Sequence, residues 1–374
     1  MVEFSNLNTA WFAVIGLLWA GYFFLEGFDF GVAVVTPFVA ADDLDRRICM
    51  NAVGPTWDGN EVWLVVAGGA TFAAFPLWYA QLFSGFYLAL FVVLVALIAR
   101  GVSFEFREKD DRASWKRFWD WANFLGSLVP AIVWGAAFTD LVHGLPLGPG
   151  GTYRGGLLGL LHPVALLGGL ASLALFSLHG SVFLALKTSG GVARRASRLV
   201  RVLAPSTVVL LVGLLGWLVQ AGRPAIAGSL PAVVPVVLAL LGVLFVVATG
   251  LFTARSRAGL AFAANGLAIL LVTGAAFARL FPAVLASSGV AAHGITIESA
   301  AAGHLTLVVM SVVAAIFTPL VLAYQGWTYW VFRQRLVRPP AGDGSQPPPD
   351  GGPVPTPRLR VVPGPIAARG DPGP

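Results

Sequence analysis

Long apolar segments, separated by short polar or charged stretches, dominate the sequence. A membrane-spanning helix needs about 20 mostly apolar residues, and nine segments meet that requirement. We therefore predict an all-α polytopic membrane protein with nine transmembrane helices. The predicted spans are 9–38, 51–75, 78–99, 119–142, 157–186, 200–221, 232–252, 258–282 and 301–332. The stretch 1–8 contains no Lys or Arg, so the first apolar segment is interpreted as a span and not as a signal peptide.

The basic residues favour one side of this arrangement. If the N-terminus lies outside and the nine spans alternate, all but three of the 24 Lys and Arg residues fall in inside segments. The three on the outside are Arg154, Arg223 and Arg279. Because cytoplasmic loops carry an excess of Lys and Arg, the pattern predicts an outside N-terminus and a cytoplasmic C-terminus. An even number of spans would break the alternation.

The composition agrees with a membrane protein. Hydrophobic residues make up 57% of the chain and charged residues 11%, with a mean hydropathy of +0.80. A soluble domain has roughly 25% charged residues, so a cytosolic enzyme, a disordered protein and a disulfide-stapled secreted domain are excluded. Cys49 is the single cysteine, so the chain has no intramolecular disulfide and no cysteine-based metal site. The net charge of +6 follows from membrane topology, and no nucleic-acid partner is expected.

The composition changes near residue 337, where Pro and Gly become frequent. Such a segment cannot bury a core. We predict a nine-helix transmembrane domain over 1–336 and a disordered Pro/Gly-rich cytoplasmic tail over 337–374. Binding of a polyproline-recognising partner by this tail is the less favoured alternative.

Two acidic pairs lie inside predicted spans, where an ionisable group costs about 2.5–3.5 kcal/mol. Glu26 and Asp29 occupy the first span, and Asp58 and Glu61 the second. Each pair has the i, i+3 spacing that places both members on one helix face. Both pairs are expected at similar depth in the cytoplasmic half, where carboxylates can relay protons. The alternative is that they only hold the helices together through hydrogen bonds.

Other polar or small residues near these pairs suggest further roles. Trp57 offers a flat ring and an N–H donor beside Asp58, which suits a quinone headgroup, although packing between helices is the commoner role of tryptophan. Arg100 ends the third predicted span, where we expect it to snorkel to the interface, with pairing to a carboxylate as the alternative. Gly68 and Gly69 are expected to permit close helix contact.

The histidines inside or beside the spans do not form an obvious haem site. His162 and His179 lie 17 positions apart in one predicted span, so they cannot bind one haem from a single helix. His304 is the remaining candidate. We interpret all three as core or boundary residues and predict no metal site in this chain.

Several motifs around the acidic residues resemble subunit II of the cytochrome bd-type quinol oxidases. The likeness is dense over about 1–145 and continues as the number and order of spans to about 335. The motifs are GFDFG at 27–31, WDGNEVWL at 57–64, GGATFAAFP at 68–76, FSGFY at 83–87, WDW at 119–121 and GSLVP at 126–130.

This resemblance implies a fold of two four-helix bundles plus a peripheral helix, in the inner membrane of a bacterium. It also implies a heterodimer with a haem-bearing subunit I that carries haems b558, b595 and d, with a small single-helix accessory subunit as a further candidate partner. The complex would oxidise quinol, reduce dioxygen to water and take up cytoplasmic protons, as an electrogenic, non-pumping enzyme. This subunit would not be catalytic alone, but would contact quinol and lipids and can hold a structural quinone.

The resemblance also assigns roles to individual residues. Asp58 matches the channel carboxylate of the family, Asp29 a buried acidic position, and Trp57 and Arg100 quinone-contacting positions. The predicted proton pathway is therefore Asp58, Glu61, Glu26 and Asp29, and the predicted quinone contacts are Trp57, Asp58 and Arg100. Glu61 departs from relatives that have Gln at this position, which strengthens its candidacy as a proton relay here.

A proton-coupled secondary transporter that uses the acidic residues of the first two helices is the alternative. Transporters usually place such groups in two matching repeats. Here the second half of the chain contains no matching acidic pair, which disfavours that reading.

Overall fold

The computed structural model describes residues 6–156, 158–221, 228–289, 294–338 and 360–362. Within these ranges the chain is mainly helical. The helices are α1 (Asn6–Val39), α2 (Asp43–Val53), α3 (Trp57–Ala74), α4 (Pro76–Gly85), α5 (Tyr87–Phe106), α6 (Ala113–His143), α7 (Pro163–Lys187), α8 (Gly190–Gln220), α9 (Val233–Ala254), α10 (Ala258–Leu280), α11 (Ile297–Ala300) and α12 (His304–Val331). Short strands are β1 (Ala283–Leu285), β2 (Ile295–Thr296), β3 (Arg335–Val337) and β4 (Arg360–Val362).

Eight helices in the described part of the chain are long and apolar enough to cross a membrane. They are α1, α5 with the following turn to Lys109, α6, α7, α8, α9, α10 and α12. Helix α3 occupies the predicted second span, but it is not among the eight, because its first turns carry Asp58, Asn60 and Glu61. The structure therefore supports a polytopic helical membrane protein.

Two predicted spans have different boundaries in the structure. The predicted span 51–75 begins within α2, and residues 54–56 separate α2 from α3. The predicted span 78–99 includes the short helix α4, and the long helix of this region runs from Tyr87 to Phe106. Proline explains part of the difference, because Pro76 is the first residue of α4, where its missing N–H leaves no hydrogen bond unmade.

Helix α1 lies at the centre of the fold and packs against α3, α6, α7 and α10. Its crossing with α7 depends on small residues, since a Cβ atom on Gly31 would overlap the Phe176 carbonyl oxygen and one on Gly180 would overlap the Gly31 backbone. Helices α7, α8, α9 and α10 pack in series, whereas α5 packs on α6. Helix α12 lies at the edge, against α3 and α1, and Leu307 is its buried residue.

Ion pairs organise the end of the bundle where α1 meets α2. The Arg107 side chain is fully buried and donates to Asp120 at 2.6 Å, to Asp43 at 2.5 Å and to Glu108 at 2.7 Å. These bonds join α2 to α6 through the 107–109 turn. A second set at the same end pairs Asp45 of α2 with Arg195 of α8 and with Arg338, which follows β3.

The predicted tail lies largely outside the described residues. Its described parts are 337–338 and 360–362, and β4 pairs antiparallel with β3 there. The division into 1–336 and 337–374 stays a prediction.

Candidate functional site

The first acidic pair lies in the interior of the helix bundle. Glu26 and Asp29 are 0% and 1% exposed, and every residue of α1 from Glu26 to Val35 is buried. Helix α1 is enclosed because four other helices pack around it. Carboxylates enclosed in this way need a cation or hydrogen-bond donors as partners.

Arg100 of α5 supplies that cation. Its guanidinium forms an ion pair with Glu26, and its Nη1 lies 3.6 Å from a Glu61 carboxylate oxygen. The Arg100 side chain is 0% exposed. The expectation that Arg100 snorkels to the interface is therefore wrong, and the alternative of pairing with a carboxylate holds. The physical reason is that α5 continues to Phe106, about 9 Å beyond Arg100 at 1.5 Å per residue.

A second set of hydrogen bonds surrounds Asp29. Asn60 of α3 donates to the Asp29 carboxylate at 2.8 Å, and the Asn60 side-chain oxygen accepts from the Tyr329 hydroxyl at 2.7 Å and from Gln325 at 3.3 Å. The Trp63 indole also donates to Gln325, at 2.8 Å. These bonds connect α1 and α3 with the peripheral helix α12.

Sequence reasoning missed Asn60, Gln325 and Tyr329. A signal was present for two of them, because Asn60 lies between Asp58 and Glu61, and Gln325 is an amide inside an apolar segment. Nothing in the spacing of Tyr329 distinguishes it from an interfacial aromatic residue.

Aromatic rings cover the Arg100 guanidinium. Its central carbon lies 5.1 Å from the ring centre of Phe30, 5.7 Å from that of Phe104 and 6.0 Å from that of Trp57. Trp57 and Phe104 stack with their centres 4.9 Å apart and 14° between their planes. The rings attract the cation and cover one side of the ion pair.

The second acidic pair connects this interior to the surface of the chain. Asp58 is exposed, whereas the Glu61 side chain is 23% exposed and faces Arg100. The expected shared face is therefore not formed by this pair, because Glu61 faces the buried cation whereas Asp58 lies toward the outer side of α3. Gly68 and Gly69 follow on the same helix, and a Cβ atom on either would meet nothing within 4 Å. The close helix contact expected there is not formed by the described residues of this chain.

Several buried polar atoms in this cluster lack a partner among the described residues. They are Glu26 Oε2, Asp29 Oδ1, Arg100 Nε, Arg100 Nη2 and the Tyr22 hydroxyl. Buried polar atoms are nearly always hydrogen-bonded, in many cases to ordered water. The cluster therefore fits a hydrated chain of proton donors and acceptors.

The described histidines do not fit a pair of axial haem ligands. His179 Nε2 lies 3.2 Å from the Phe24 carbonyl oxygen, and its ring stacks on Phe262 with centres 4.6 Å apart. His162 Nε2 lies 2.7 Å from an Asp140 carboxylate oxygen, and His304 is an exposed residue at the start of α12. His143, the other described histidine, has its ring centre 4.3 Å from that of His162, which leaves no room for haem iron between the two rings. These contacts support the interpretation of His162 as a satisfied structural residue, whereas His179 is a core residue whose Nδ1 lacks a hydrogen-bond partner among the described residues.

Asp140 is a further buried carboxylate that the sequence interpretation missed. It is 2% exposed and lies beside His162 in the last turn of the 31-residue helix α6, within the predicted span 119–142. Its position at the end of an apolar segment made it resemble an interfacial residue.

The fold and the site define a class of protein, namely a multi-pass helical membrane protein with paired charges in its interior. Residues 7–332 match the family of cytochrome bd terminal oxidase subunit II. The chain therefore belongs to this family.

Individual relatives agree with that assignment. The cytochrome bd ubiquinol oxidase subunit 2 of Bacillus subtilis (strain 168) is 37% identical over 332 residues, covering 89% of this chain and 97% of that protein. The cytochrome bd-I ubiquinol oxidase subunit 2 of Escherichia coli (strain K12) is 33% identical over 368 residues, covering 90% and 97%. A chain in the structure of bd oxidase from Geobacillus thermodenitrificans shares the fold, with a TM-score of 0.69, 19% identity and coverage of 87% and 99%.

The predicted resemblance is thus confirmed, and so is the predicted function as subunit II of a cytochrome bd quinol oxidase, an oxidoreductase complex. The transporter alternative is not supported. The family implies haem in the complex and a subunit I as partner, and the chain is a multi-pass bacterial membrane protein.

Proposed function

We propose that this subunit conducts protons from the surface of α3 to the buried charged cluster during quinol oxidation. The order of groups is Asp58, then Glu61, then the Arg100–Glu26 pair, and finally Asp29. The observation that carries the proposal is the position of Glu61, which is partly exposed beside Asp58 and lies 3.6 Å from Arg100. Groups that can both accept and release a proton are suited to this task.

The unpartnered polar atoms support the inner part of this pathway. Glu26 Oε2 and Asp29 Oδ1 are buried acceptors without a protein donor among the described residues. Ordered water between them would satisfy both atoms and complete a hydrogen-bonded chain. Arg100 keeps a positive charge beside the carboxylates and so lowers the cost of negative charge in the interior.

We propose that a quinone ring contacts the chain at Trp57 and Asp58. Asp58 is exposed and Trp57 is partly exposed, so a headgroup can reach both. Arg100 is buried behind the stacked Trp57 and Phe104 rings. In this proposal Arg100 holds the Trp57 ring in position, and Trp57 contacts the quinone. A structural quinone at this position fits the predicted contacts.

The haem-bearing subunit I is proposed to cover the outer side of α3. Exposed apolar side chains of α3 lie on this side together with Asp58, and Gly69 there leaves room for a close helix approach. In our proposal that subunit carries haems b558, b595 and d, which supply electron transfer and dioxygen chemistry. The residues of this chain would only bind, orient and move protons. The exposed apolar side chains are Val62, Val65, Val66 and Phe72.

The topology we propose has nine crossings, with α3 as the ninth spanning helix. Helices α1, α3, α5 and α6 form one bundle, α7, α8, α9 and α10 the second, and α12 is peripheral. The arrangement places the N-terminus outside and the C-terminus in the cytoplasm of a cell with this complex in its inner membrane. A small single-helix accessory subunit stays a prediction.

Replacement of the exposed entry residue tests the proton pathway. In the intact complex, Asp58→Asn should lower both quinol oxidase turnover and proton uptake while the haem spectrum stays unchanged. Asp111→Asn is the matched control, because Asp111 is 95% exposed and remote from the cluster. Unchanged turnover and uptake in Asp58→Asn would reject the pathway and favour a purely structural role.

A further inference from the structure

A cavity outside the charged cluster lies at the end of the bundle that carries most of the Arg and Lys residues. It has a volume of about 280 Å³ and opens between the last turns of α1, helix α2 and the first half of α6. One water needs only about 10–15 Å³ of such space, so the cavity accommodates a much larger group. None of the proposed proton or quinone residues lines it.

The lining of this cavity carries an excess of positive charge. Arg46 pairs with Asp120 at 3.1 Å, but the second Asp120 oxygen already accepts from the buried Arg107 at 2.6 Å. Arg107 also pairs with Asp43 and Glu108, so Asp120 balances the charge of Arg46. Arg117, the other arginine of the lining, has no ion-pair partner among the described residues. An anion in the cavity would balance this charge.

A buried amide points to a ligand independently of the charge. Asn123 lines the cavity and is 7% exposed. Its side-chain oxygen is buried and lacks a hydrogen-bond partner among the described residues. An unpaired buried acceptor costs about 1–3 kcal/mol, so this oxygen requires a donor. A hydroxyl group on an occupant of the cavity would supply one.

Apolar residues complete the lining and indicate its depth in the membrane. Pro37 and Phe124 provide apolar walls, and Trp121 lines the cavity while remaining 56% exposed. Exposed tryptophan side chains are enriched at the level of the lipid headgroups. The cavity therefore combines cations, a hydrogen-bond acceptor and apolar walls at headgroup depth. Free inorganic phosphate would contact the cations but would leave the apolar walls without a partner.

We propose that this cavity binds the headgroup of an anionic glycerophospholipid. The phosphate oxygens accept hydrogen bonds from Arg46 and Arg117, and a headgroup hydroxyl donates to the Asn123 oxygen. The acyl chains leave past Trp121 and Phe124 toward the bilayer. Basic pockets between transmembrane helices bind such headgroups. Free inorganic phosphate would be recognised by the same two arginines, so the experiment must distinguish it from the lipid.

Lipid binding to the intact oxidase complex tests the proposal. The complex is delipidated in detergent and titrated with dioleoyl phosphatidylglycerol, and bound lipid is counted by native mass spectrometry. Dioleoyl phosphatidylcholine and inorganic phosphate are titrated in parallel. We expect one tightly held phosphatidylglycerol, weaker binding of phosphatidylcholine and no displacement by phosphate. Equal affinity for the two lipids, or full displacement by phosphate, would overturn the assignment.

Two variants and a matched control locate the site. Arg117→Gln should weaken phosphatidylglycerol binding at least about fivefold, which corresponds to about 1 kcal/mol, and Asn123→Leu should also weaken it. Arg112→Gln removes the same charge from an exposed residue that pairs with Asp110 and should leave binding unchanged. An equal effect of Arg112→Gln and Arg117→Gln would overturn the proposal.

If Arg117→Gln does not assemble, Arg117→Lys keeps the charge and should retain binding, and Asn123→Leu then decides the outcome. The readout is lipid stoichiometry, so it is independent of the proposed proton pathway.

Discussion

Arg100 and Glu26 form an ion pair in which neither side chain is exposed to solvent. Arg100 also approaches Glu61, and Asp29 lies one turn from Glu26 on the same helix. One arginine therefore compensates several carboxylates in the interior of the helix bundle. This imbalance makes the arginine harder to replace than any single carboxylate.

We predict that Arg100→Gln destabilises the complex more than Glu26→Gln. Removal of one partner from a buried ion pair costs about 3–5 kcal/mol, and Arg100→Gln would leave two carboxylates without their cation. Glu26→Gln leaves Arg100 with Glu61. Thermal unfolding of the purified complex, followed by haem absorbance, measures both effects. The reverse order of stabilities would show that the cation does not compensate both carboxylates.

We predict that Tyr329→Phe loosens α12 by removing the hydroxyl that donates to Asn60 at 2.7 Å. The free energy of unfolding should fall by about 1 kcal/mol, which is typical of one hydrogen bond. The loss stays this small because Gln325 still donates to the Asn60 oxygen. Thermal unfolding and limited proteolysis of the α12 region would report it. Tyr324→Phe is the matched control, since Tyr324 lies on the same helix and is 67% exposed. An equal effect of both variants would contradict a specific role for the hydroxyl.

We predict that Glu61→Gln changes the shape of the pH profile of quinol oxidase turnover, with a modest loss of peak activity. The substitution removes a carboxylate that connects Asp58 with Arg100 but preserves its size. Oxygen consumption measured from about pH 5 to about pH 9, at matched haem content, tests this. Glu105→Gln, which changes an exposed carboxylate of α5, should leave the normalised curve unaltered. Superimposable curves for Glu61→Gln and the native complex would refute the relay.

We predict that protonation of His162 weakens the start of α7. His162 Nδ1 accepts a hydrogen bond from the Ala165 backbone N–H, which caps the helix, so Nε2 carries the proton that is donated to Asp140. Burial, together with the neighbouring His143, lowers the pKa of His162 below its ordinary value. Because the pKa of His162 is lower in the folded state, the stabilisation of the folded protein by neutral His162 is fully present above the unfolded pKa of about 6.5. This stabilisation is lost as the pH falls below that value.

The test of this helix cap compares two substitutions. His162→Asn preserves a capping acceptor and removes the titration, whereas His162→Ala removes both and should cost about 1 kcal/mol. The unfolding temperature is measured above and below about pH 6.5. It should fall at the lower pH in the native protein and change less in His162→Asn. An identical pH dependence in both proteins would exclude His162 as the titrating group.

Hydropathy predicted most of the long helices because each segment must satisfy its backbone within the membrane. It located Glu26, Asp29 and Glu61 for the complementary reason that carboxylates are costly there. It failed for Arg100, because an arginine at the apparent end of an apolar segment looks like an interfacial residue until the helix is seen to continue to Phe106.

The partners of the acidic residues could not be predicted from their own helix. Asn60 and Tyr329 come from segments separated by 269 positions, and their meeting depends on how α12 packs against α3. The different environments of Asp58 and Glu61 likewise depend on which neighbour covers each side of α3. Periodicity places residues on a shared face, but it does not reveal what that face contacts.

The separation of Glu26 and Arg100 by 74 positions has a consequence for biogenesis. Helix α1 precedes α5 in the chain, so its two carboxylates leave the ribosome before α5 has been synthesised. The nascent chain must hold these groups, at about 2.5–3.5 kcal/mol each, until the arginine arrives. Chains truncated before α5 would keep the acidic residues without their counterion, so the first helix alone would insert less favourably than it does with its later partner.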